Sequence, residues 1–378
     1  MNNISAFQKC SNCGACYNIC PVDAISVCED EFFYRPVVDQ TKCMDCGLCR
    51  KVCPVNEPQQ VQQPQRAYAA IHNEERVLKN SSSGGAFRAL AEPVLDRGGV
   101  VYGAGYTDGV RTVRICSSEQ VSLERLQKSK YVESLVGDSF RDVKEKLNCG
   151  KSVLYCGAPC QIAGLKRFLG KEYDNLLTCD FSCGGMPSHK MYREWLDWLK
   201  TKLKADVVSV DFRPKTFGWN PHSVNVSAKN GRTYSRLAGE DAYFDCFVGK
   251  HISVRDYCLE CEFANNHYAD IILADFWKHR SISKIENGNK GISLLIANSE
   301  KGERAIEAIS GQVALTTLEL EPAAYNLREK PSKPGFCKER VAFLEECREK
   351  GFVTAAGQRR CNRKFRLKYK IKALLGRD

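Results

Sequence analysis

Cysteines 10, 13, 16 and 20 precede Pro21 in the spacing CxxCxxCxxxCP, and cysteines 43, 46, 49 and 53 repeat it before Pro54. A thiolate at every third residue lets one tight loop wrap an iron–sulfur cube corner by corner. The fourth cysteine opens a short helix and points across to a second cube. The spacing therefore predicts two [4Fe-4S] clusters, one on Cys10, Cys13, Cys16 and Cys53, the other on Cys43, Cys46, Cys49 and Cys20. Zinc favours paired CxxC units, and a disulfide framework belongs to small secreted chains. Between the cysteine loops, Ala24, Ile25, Val37 and Val38 supply small apolar strands.

The 378 residues, 43% hydrophobic, are enough for this small module and one sizeable core. The start, MNNISAFQKC, lacks a basic segment followed by an apolar run, and no later run approaches a membrane span. A cytoplasmic protein is expected. Its 21 cysteines suit a reducing compartment and metal ligation. The formal charge of +11 falls to roughly +7 once two cubanes of about −2 each are added. Much of the excess lies in 359–377, a basic tail suited to nucleic acid, anionic lipid or an acidic redox partner. There Phe365, Leu367, Tyr369 and Ile371 alternate with lysine and arginine. That interleaving favours peripheral contact with an anionic membrane, where a lipid-linked substrate would be at hand.

The cluster module fills 1–56, and residues 57–66, rich in proline and glutamine, read as an extended tether between it and a larger domain. That domain spans 67–312 and is followed by a C-terminal extension over 313–378. Short β-type runs at 67–71, 100–106, 152–156, 176–181, 269–277 and 291–299 alternate with helix-like stretches at 160–169 and 191–203. Antiparallel strands are expected around Asn230 and Gly231, a hairpin turn. The fold class is α+β: a small ferredoxin-like bis-cluster domain followed by a larger α/β domain with a mixed sheet.

Several separate strings agree in order and spacing with one family: SSSGG at 81–85, SKYVES at 129–134, GAPCQIAGL at 157–165, CGGMPS at 183–188, CLEC at 258–261 and ADIILADFW at 269–277. Together they resemble the beta subunit family of coenzyme F420-reducing hydrogenases and dehydrogenases over nearly the whole chain up to about residue 310. The resemblance implies FAD beside the iron–sulfur clusters, hence a flavin-binding larger domain and flavin electron transfer. It leaves the organic acceptor open: a deazaflavin, a tetrapyrrole, or a sugar or lipid-linked intermediate.

Residue by residue, Ser81, Ser82, Ser83, Gly84 and Gly85 form a polar loop entering a helix near Ala86. Its backbone N–H groups and the helix dipole can face an anion; an ordinary serine cap and glycine turn is the plain alternative. With the resemblance, the loop is expected to hold the FAD diphosphate. Gly103, Ala104 and Gly105 leave the dinucleotide fingerprint incomplete, so no nicotinamide site is expected. Lys130 and Tyr131 are expected near the flavin, the lysine stabilising the anionic reduced ring and the tyrosine stacking or hydrogen-bonding.

Cys160, Cys183, Cys258 and Cys261 all fall inside the matching strings and could hold a third [4Fe-4S] cluster. Zinc, a redox-active CxxC and plain buried thiols are the rivals. Cys160 opens a helix, whose dipole would favour its thiolate. Cys156 and Cys179 sit in strand-like runs and read as core. His189 follows the 183–188 turn and is expected to face the active site as a proton donor. Asp270 and Asp275 flank an apolar strand, whose end is where ligands bind in open α/β sheets.

These expectations describe an iron–sulfur flavoprotein that passes single electrons through its clusters to FAD, which reduces or oxidises an organic acceptor by two electrons. A ferredoxin or another redox protein is the expected electron partner. The alternatives are a non-catalytic electron-transfer subunit of a larger hydrogenase or dehydrogenase, and a cluster-stabilised nucleic-acid binder. Nucleic acid is not the expected partner.

Overall fold

The computed structural model describes residues 2–7, 9–57, 61, 63–325 and 336–358; the basic tail from Arg359 onward lies outside them. In the N-terminal head, β1 (Ile25–Asp30) and β2 (Phe33–Val38) pair antiparallel. The short helices Ala15–Ile19 and Leu48–Lys51 follow the third-residue cysteines of each motif.

The main sheet takes β3 (Arg66–His72), β4 (Val100–Thr107), β5 (Thr112–Ser117), β6 (Ser134–Leu135), β7 (Val153–Cys156) and β8 (Leu176–Phe181). After the three strands β9 (Val207–Asp211), β10 (Ser223–Ala228) and β11 (Thr233–Leu237), it is completed by β12 (Ile271–Asp275), β13 (Ser293–Ala297) and β14 (Val313–Leu318). The order is β14-β3-β13-β12-β8-β7-β4-β5-β6. The neighbours β12, β8, β7 and β4 run parallel, and β14, β3 and β13 flank them antiparallel. Val153, Leu154 and Tyr155 are fully buried, as central parallel strands covered on both faces require. The parallel strands bring their C-terminal ends, including Cys156, Phe181 and Asp275, to one edge of the sheet. That edge is where an open α/β sheet offers a crevice.

A separate antiparallel sheet, β11-β10-β9, turns at Asn230 and Gly231 and packs on the helix His189–Leu203. Trp195, Phe212 and Tyr243 stack at that contact.

Two boundaries differ from the sequence-based expectation. The stretch beginning at Val313 is no appendage, because β14 pairs along the whole of β3 and forms the edge of the main sheet. Nor is the head a bead on a tether: Cys13, Ala15 and Tyr17 share one hydrophobic cluster with Tyr102, Tyr155 and Ile162 of the larger domain. Arg141 caps the end of the helix Ala15–Ile19, donating to the carbonyls of Tyr17 (3.0 Å), Asn18 (2.7 Å) and Cys20 (3.0 Å) and pairing with Asp23 (2.6 Å). The linker composition is real, but burial of apolar surface on both sides of it decides the packing.

The C-terminal helices Phe336–Lys350 and Phe352–Gln358 bury Phe343 and Phe352 against the aromatic cluster. Arg340 donates to the Val254 carbonyl at 2.7 Å, and Arg348 pairs with Glu31 of the head at 2.9 Å. The extension thereby braces both the head and the loop that leads to Cys258.

Candidate cofactor sites

The cysteines gather in three places. Around Cys13 lie Cys10 and Cys53, and Cys16 is close to the same three thiols. Cys20, Cys43, Cys46 and Cys49 line a small void together with Met44 and Leu48. The thiol of Cys160 is acted on by Cys261, Cys183, Cys13 and Cys258, and Cys258 Cβ would lie 3.3 Å from a Cβ on Gly185.

Each group receives N–H donors aimed at sulfur. Asn12 N reaches Cys10 Sγ at 3.3 Å, Ala24 N reaches Cys20 Sγ at 3.3 Å, Asn3 Nδ2 reaches Cys43 Sγ at 3.5 Å and Met186 N reaches Cys258 Sγ at 3.4 Å. Such donors satisfy thiolates and tune clusters.

Burial pushes the Cys13 and Cys258 thiols up to about 12. Burial and the surrounding thiols push Cys160 far up as well. This corrects the expectation that the dipole of the helix Pro159–Leu169 favours the Cys160 thiolate: one helix end is outweighed by desolvation. A cationic iron centre is the kind of charge that reverses such a shift. Among the described residues no three His, Cys, Asp or Glu side chains converge tightly enough to grip a single metal ion. A cubane, which spreads its thiolates over four irons, does not require that convergence.

The head meets the third thiol group directly. Cys160 Sγ is 3.9 Å from the Ser11 carbonyl, and a Cβ on Gly164, one turn further along the same helix, would lie 3.0 Å from Cys13 Sγ. Beside this contact Glu133, fully buried, accepts from Asn12 Nδ2 at 3.0 Å and Tyr34 N at 3.1 Å in the head, and is paired with Arg255 from the larger domain. Burial alone raises the pKa of Glu133, but Arg255 and His189 outweigh it and hold the carboxyl below its usual range.

His189 belongs to this joint, which corrects its expected role. It is buried, stacks on Tyr34 with ring centroids 3.6 Å apart, and places Nδ1 3.2 Å from Glu133 Oε2. The 183–188 turn ends at the cap of its helix, where Ser188 accepts from Met191 N, so His189 falls on the side facing the head.

At the C-terminal edge of the parallel strands opens a cavity of about 480 Å³, in the range of a ligand pocket. It is lined by Ser81, Ser82, Ser83 and Gly85, by Lys130 and Tyr131, by Cys183, Gly184 and Gly185, and by Asp275 and Trp277. The helix Ala86–Asp96 starts at this wall, and its first N–H groups have no intrahelical partners.

The serine hydroxyls are engaged within the protein: Ser81 donates to the Val77 carbonyl (2.7 Å), Ser83 to the Ile292 carbonyl (2.7 Å), and Ser82 accepts from Ser129 N (2.9 Å). What the loop offers a ligand is backbone. Gly84 does not line the cavity; it presses on the sheet, where a Cβ would clash with the Ala70 carbonyl and sit 2.5 Å from Ser293 N. Gly85, at φ +89°, would place a Cβ 2.8 Å from His72. Glycine here serves the packing of loop on sheet before it serves any ligand.

Lys130 donates to the carbonyls of Gln127 (2.5 Å) and Lys128 (3.2 Å), and burial pushes it down to about 7. Tyr131 packs against Phe212, Phe244 and Phe247, with its hydroxyl 3.2 Å from Arg213 Nη1. Asp275 pairs with Arg213 at 2.8 Å and accepts from Trp219 Nε1 at 2.9 Å, while Asp270 is structural, held by Thr178 and Ser299. Cys179 is core, but Cys156, at the end of β7, lines the cavity.

Sequence reasoning missed Arg213, Gln127 and His222. Gln127 Nε2 and His222 Nε2 are buried in the cavity lining without a protein partner, the condition a bound polar ligand relieves. Burial, and then the Arg213 cation, push His222 down to about 3. No motif marks these residues; only the return of β9 to the mouth of the sheet brings Arg213 there.

An α+β protein with a bis-cluster head set against a cavity-bearing mixed sheet is an iron–sulfur protein built for electron transfer. Residues 9–56 match the 4Fe-4S dicluster domain. Residues 150–323 match the C terminus of the coenzyme F420 hydrogenase/dehydrogenase beta subunit. The chain thus belongs to the coenzyme F420 hydrogenase/dehydrogenase beta subunit family and carries an N-terminal 4Fe-4S dicluster domain. Among solved structures it is similar to a chain of the xenon-derivatised F420-reducing [NiFe] hydrogenase complex from Methanosarcina barkeri. The identity is 15%, with 77% of this chain and 93% of that chain covered and a TM-score of 0.46. No curated protein matches the chain.

Proposed function

We propose that the protein is a flavin-dependent iron–sulfur oxidoreductase. In this reading single electrons cross from the head, on two cubanes, through a third cubane on Cys160, Cys183, Cys258 and Cys261, to FAD in the cavity. The observation that carries it is the turn at 183–185, which supplies a thiol to the third group and the wall of the cavity at once. The lack of convergence on one point favours a cube over structural zinc at that third group. The 81–85 backbone and the first turn of the helix Ala86–Asp96 would take the diphosphate. The orphaned Gln127 and His222 nitrogens would serve the remaining polar atoms. Lys130 keeps a third N–H beyond its two carbonyl partners, and Tyr131 and Arg213 form one wall. FAD, when bound, supplies the exchange between one- and two-electron chemistry.

The acceptor is an organic small molecule or lipid-linked intermediate, and the electron partner a ferredoxin or similar redox protein. The protein is cytoplasmic, with 359–378 as a peripheral membrane contact. Among the described residues no helix is long and apolar enough to cross a membrane. The second reading, a non-catalytic relay within a larger complex, is favoured by the family's description as a beta subunit.

Anaerobic purification with flavin supplied, followed by iron, sulfide, zinc and flavin counts, tests the proposal. About twelve iron, at four per cubane, with one FAD are expected. About eight iron and one zinc would replace the third cubane by structural zinc, and absence of flavin would end the oxidoreductase reading. Flavin without turnover on any acceptor would leave the relay.

A further inference from the structure

We propose that the apolar collar of Val22, Met44 and Leu48 around the second cysteine group is the docking surface for a small acidic one-electron carrier protein. The inference rests on the reading that Cys20, Cys43, Cys46 and Cys49 hold a cluster. Those four thiols share their void with the three collar residues, and the collar faces outward, with Met44 60% exposed and Val22 and Leu48 each 38% exposed. Cys46 is exposed, whereas Cys13 and Cys160 of the other two groups are buried. The second group is therefore the end of the relay that meets solvent, and an apolar rim there has no role in the protein's own core.

Charge identifies the occupant. Around the collar, Asp23 is matched by Arg141 and Asp39 by Lys42. Asp45 and Glu145 are then set against Arg50, Lys51, Lys144 and Arg167, for which no ion pair occurs among the described residues. Arg167 is anchored on the Lys51 carbonyl at the end of the helix that carries Leu48. A groove of about 580 Å³, lined by Cys20, Pro21, Arg141, Lys144 and Phe168, continues the surface. An apolar centre with a basic margin is the complement of an acidic carrier. Such encounters are small, and their rate is set by electrostatic steering. The transfer is one electron: the reduced carrier is oxidised and the second cluster reduced, with no bond made or broken.

The test uses the full holoprotein and a small acidic 2[4Fe-4S] ferredoxin, pre-reduced and freed of excess reductant, mixed anaerobically in a stopped flow at low and physiological ionic strength. Leu48→Glu and the double variant Arg50→Glu/Lys51→Glu are expected to slow reduction by about tenfold or more, and salt to slow the wild type. Val208→Glu, at an exposed apolar position on β9, is expected to leave the rate unchanged. Iron and sulfide counts and the rate of reduction by dithionite keep cluster loss separate from docking. A wild-type chain without iron on these cysteines would remove the underlying reading itself. With the clusters intact, unchanged rates in both collar variants, equal slowing in Val208→Glu, or a wild type that the acidic carrier does not reduce would each overturn the proposal.

Discussion

Replacing Glu133 with alanine should cost the protein about 3–5 kcal/mol, the usual penalty for removing one partner of a buried ion pair. The carboxylate is inaccessible and serves donors from both halves of the chain: Asn12 Nδ2, Tyr34 N, Arg255 and the nearby His189. Its loss leaves the Arg255 guanidinium buried with the Tyr34 carbonyl at 2.5 Å as its remaining acceptor in the joint. Each abandoned neutral donor adds about 1–3 kcal/mol before relaxation, and these terms overlap within one network. For a folded part of this size a loss near 4 kcal/mol lowers the thermal midpoint by roughly 6 °C. The assay is thermal unfolding of the anaerobic holoprotein, followed by far-ultraviolet circular dichroism and by cluster absorbance. Glu133→Leu combined with Arg255→Met should recover much of the loss, since an apolar pair leaves no charge stranded. A Glu133→Ala protein within about 0.5 kcal/mol of wild type, the ordinary range of surface substitutions, would refute the view of this carboxylate as the joint between head and body.

Gly84→Val should abolish soluble expression or sharply lower the thermal midpoint even in flavin-free protein, because its Cβ meets the Ala70 carbonyl and Ser293 N of the sheet; selective flavin loss from a stable protein would contradict this. Gly164→Val should alter the electron paramagnetic resonance signal of the first cluster without changing a ligand, since its Cβ starts 3.0 Å from Cys13 Sγ. Lys130 makes stability rise between pH 7 and 10.5, because its folded pKa is pushed from 10.5 to about 7 and the unfolded chain binds the extra proton across that window. Below pH 7 both states are protonated and the full cost of the buried charge is present. Lys130→Met should flatten the rise, which paired denaturant titrations at the two ends of the window would show. Arg340→Ala should free the loop before Cys258, whose Val254 carbonyl it holds at 2.7 Å, and speed proteolysis there relative to wild type.

The parts of this molecule that are legible in the sequence are those whose chemistry is local. A cysteine every third residue announces an iron–sulfur loop because the loop itself wraps the cluster, and the apolar runs of β7, β8 and β13 announce buried strands because each residue is covered where it stands. The short helices after the cysteine loops are local too, and they carry Cys53 toward Cys10 and Cys20 toward Cys43. His189 is misread from sequence because its neighbour, the 183–188 turn, does reach the cavity, while the first turn of the helix His189–Leu203 rotates the imidazole to the opposite side, onto Tyr34. Arg213 is missed because nothing within ten residues of it signals a site. Its value comes from Asp275, 62 residues away, and from Ser82 on the far wall, whose carbonyl it meets at 3.1 Å.

The same distinction explains the tether. Proline and glutamine over 57–66 describe the connection, and they carry no information on whether the modules it connects bury surface against each other. That depends on Tyr17 finding the cluster of Tyr102 and Tyr155, on Gly164 leaving room for Cys13, and on Glu133 gathering donors from both sides. An electron relay needs this arrangement, because a head free on a ten-residue leash would hold its clusters at no fixed distance from the cavity. The joint makes the spacing a property of the folded state.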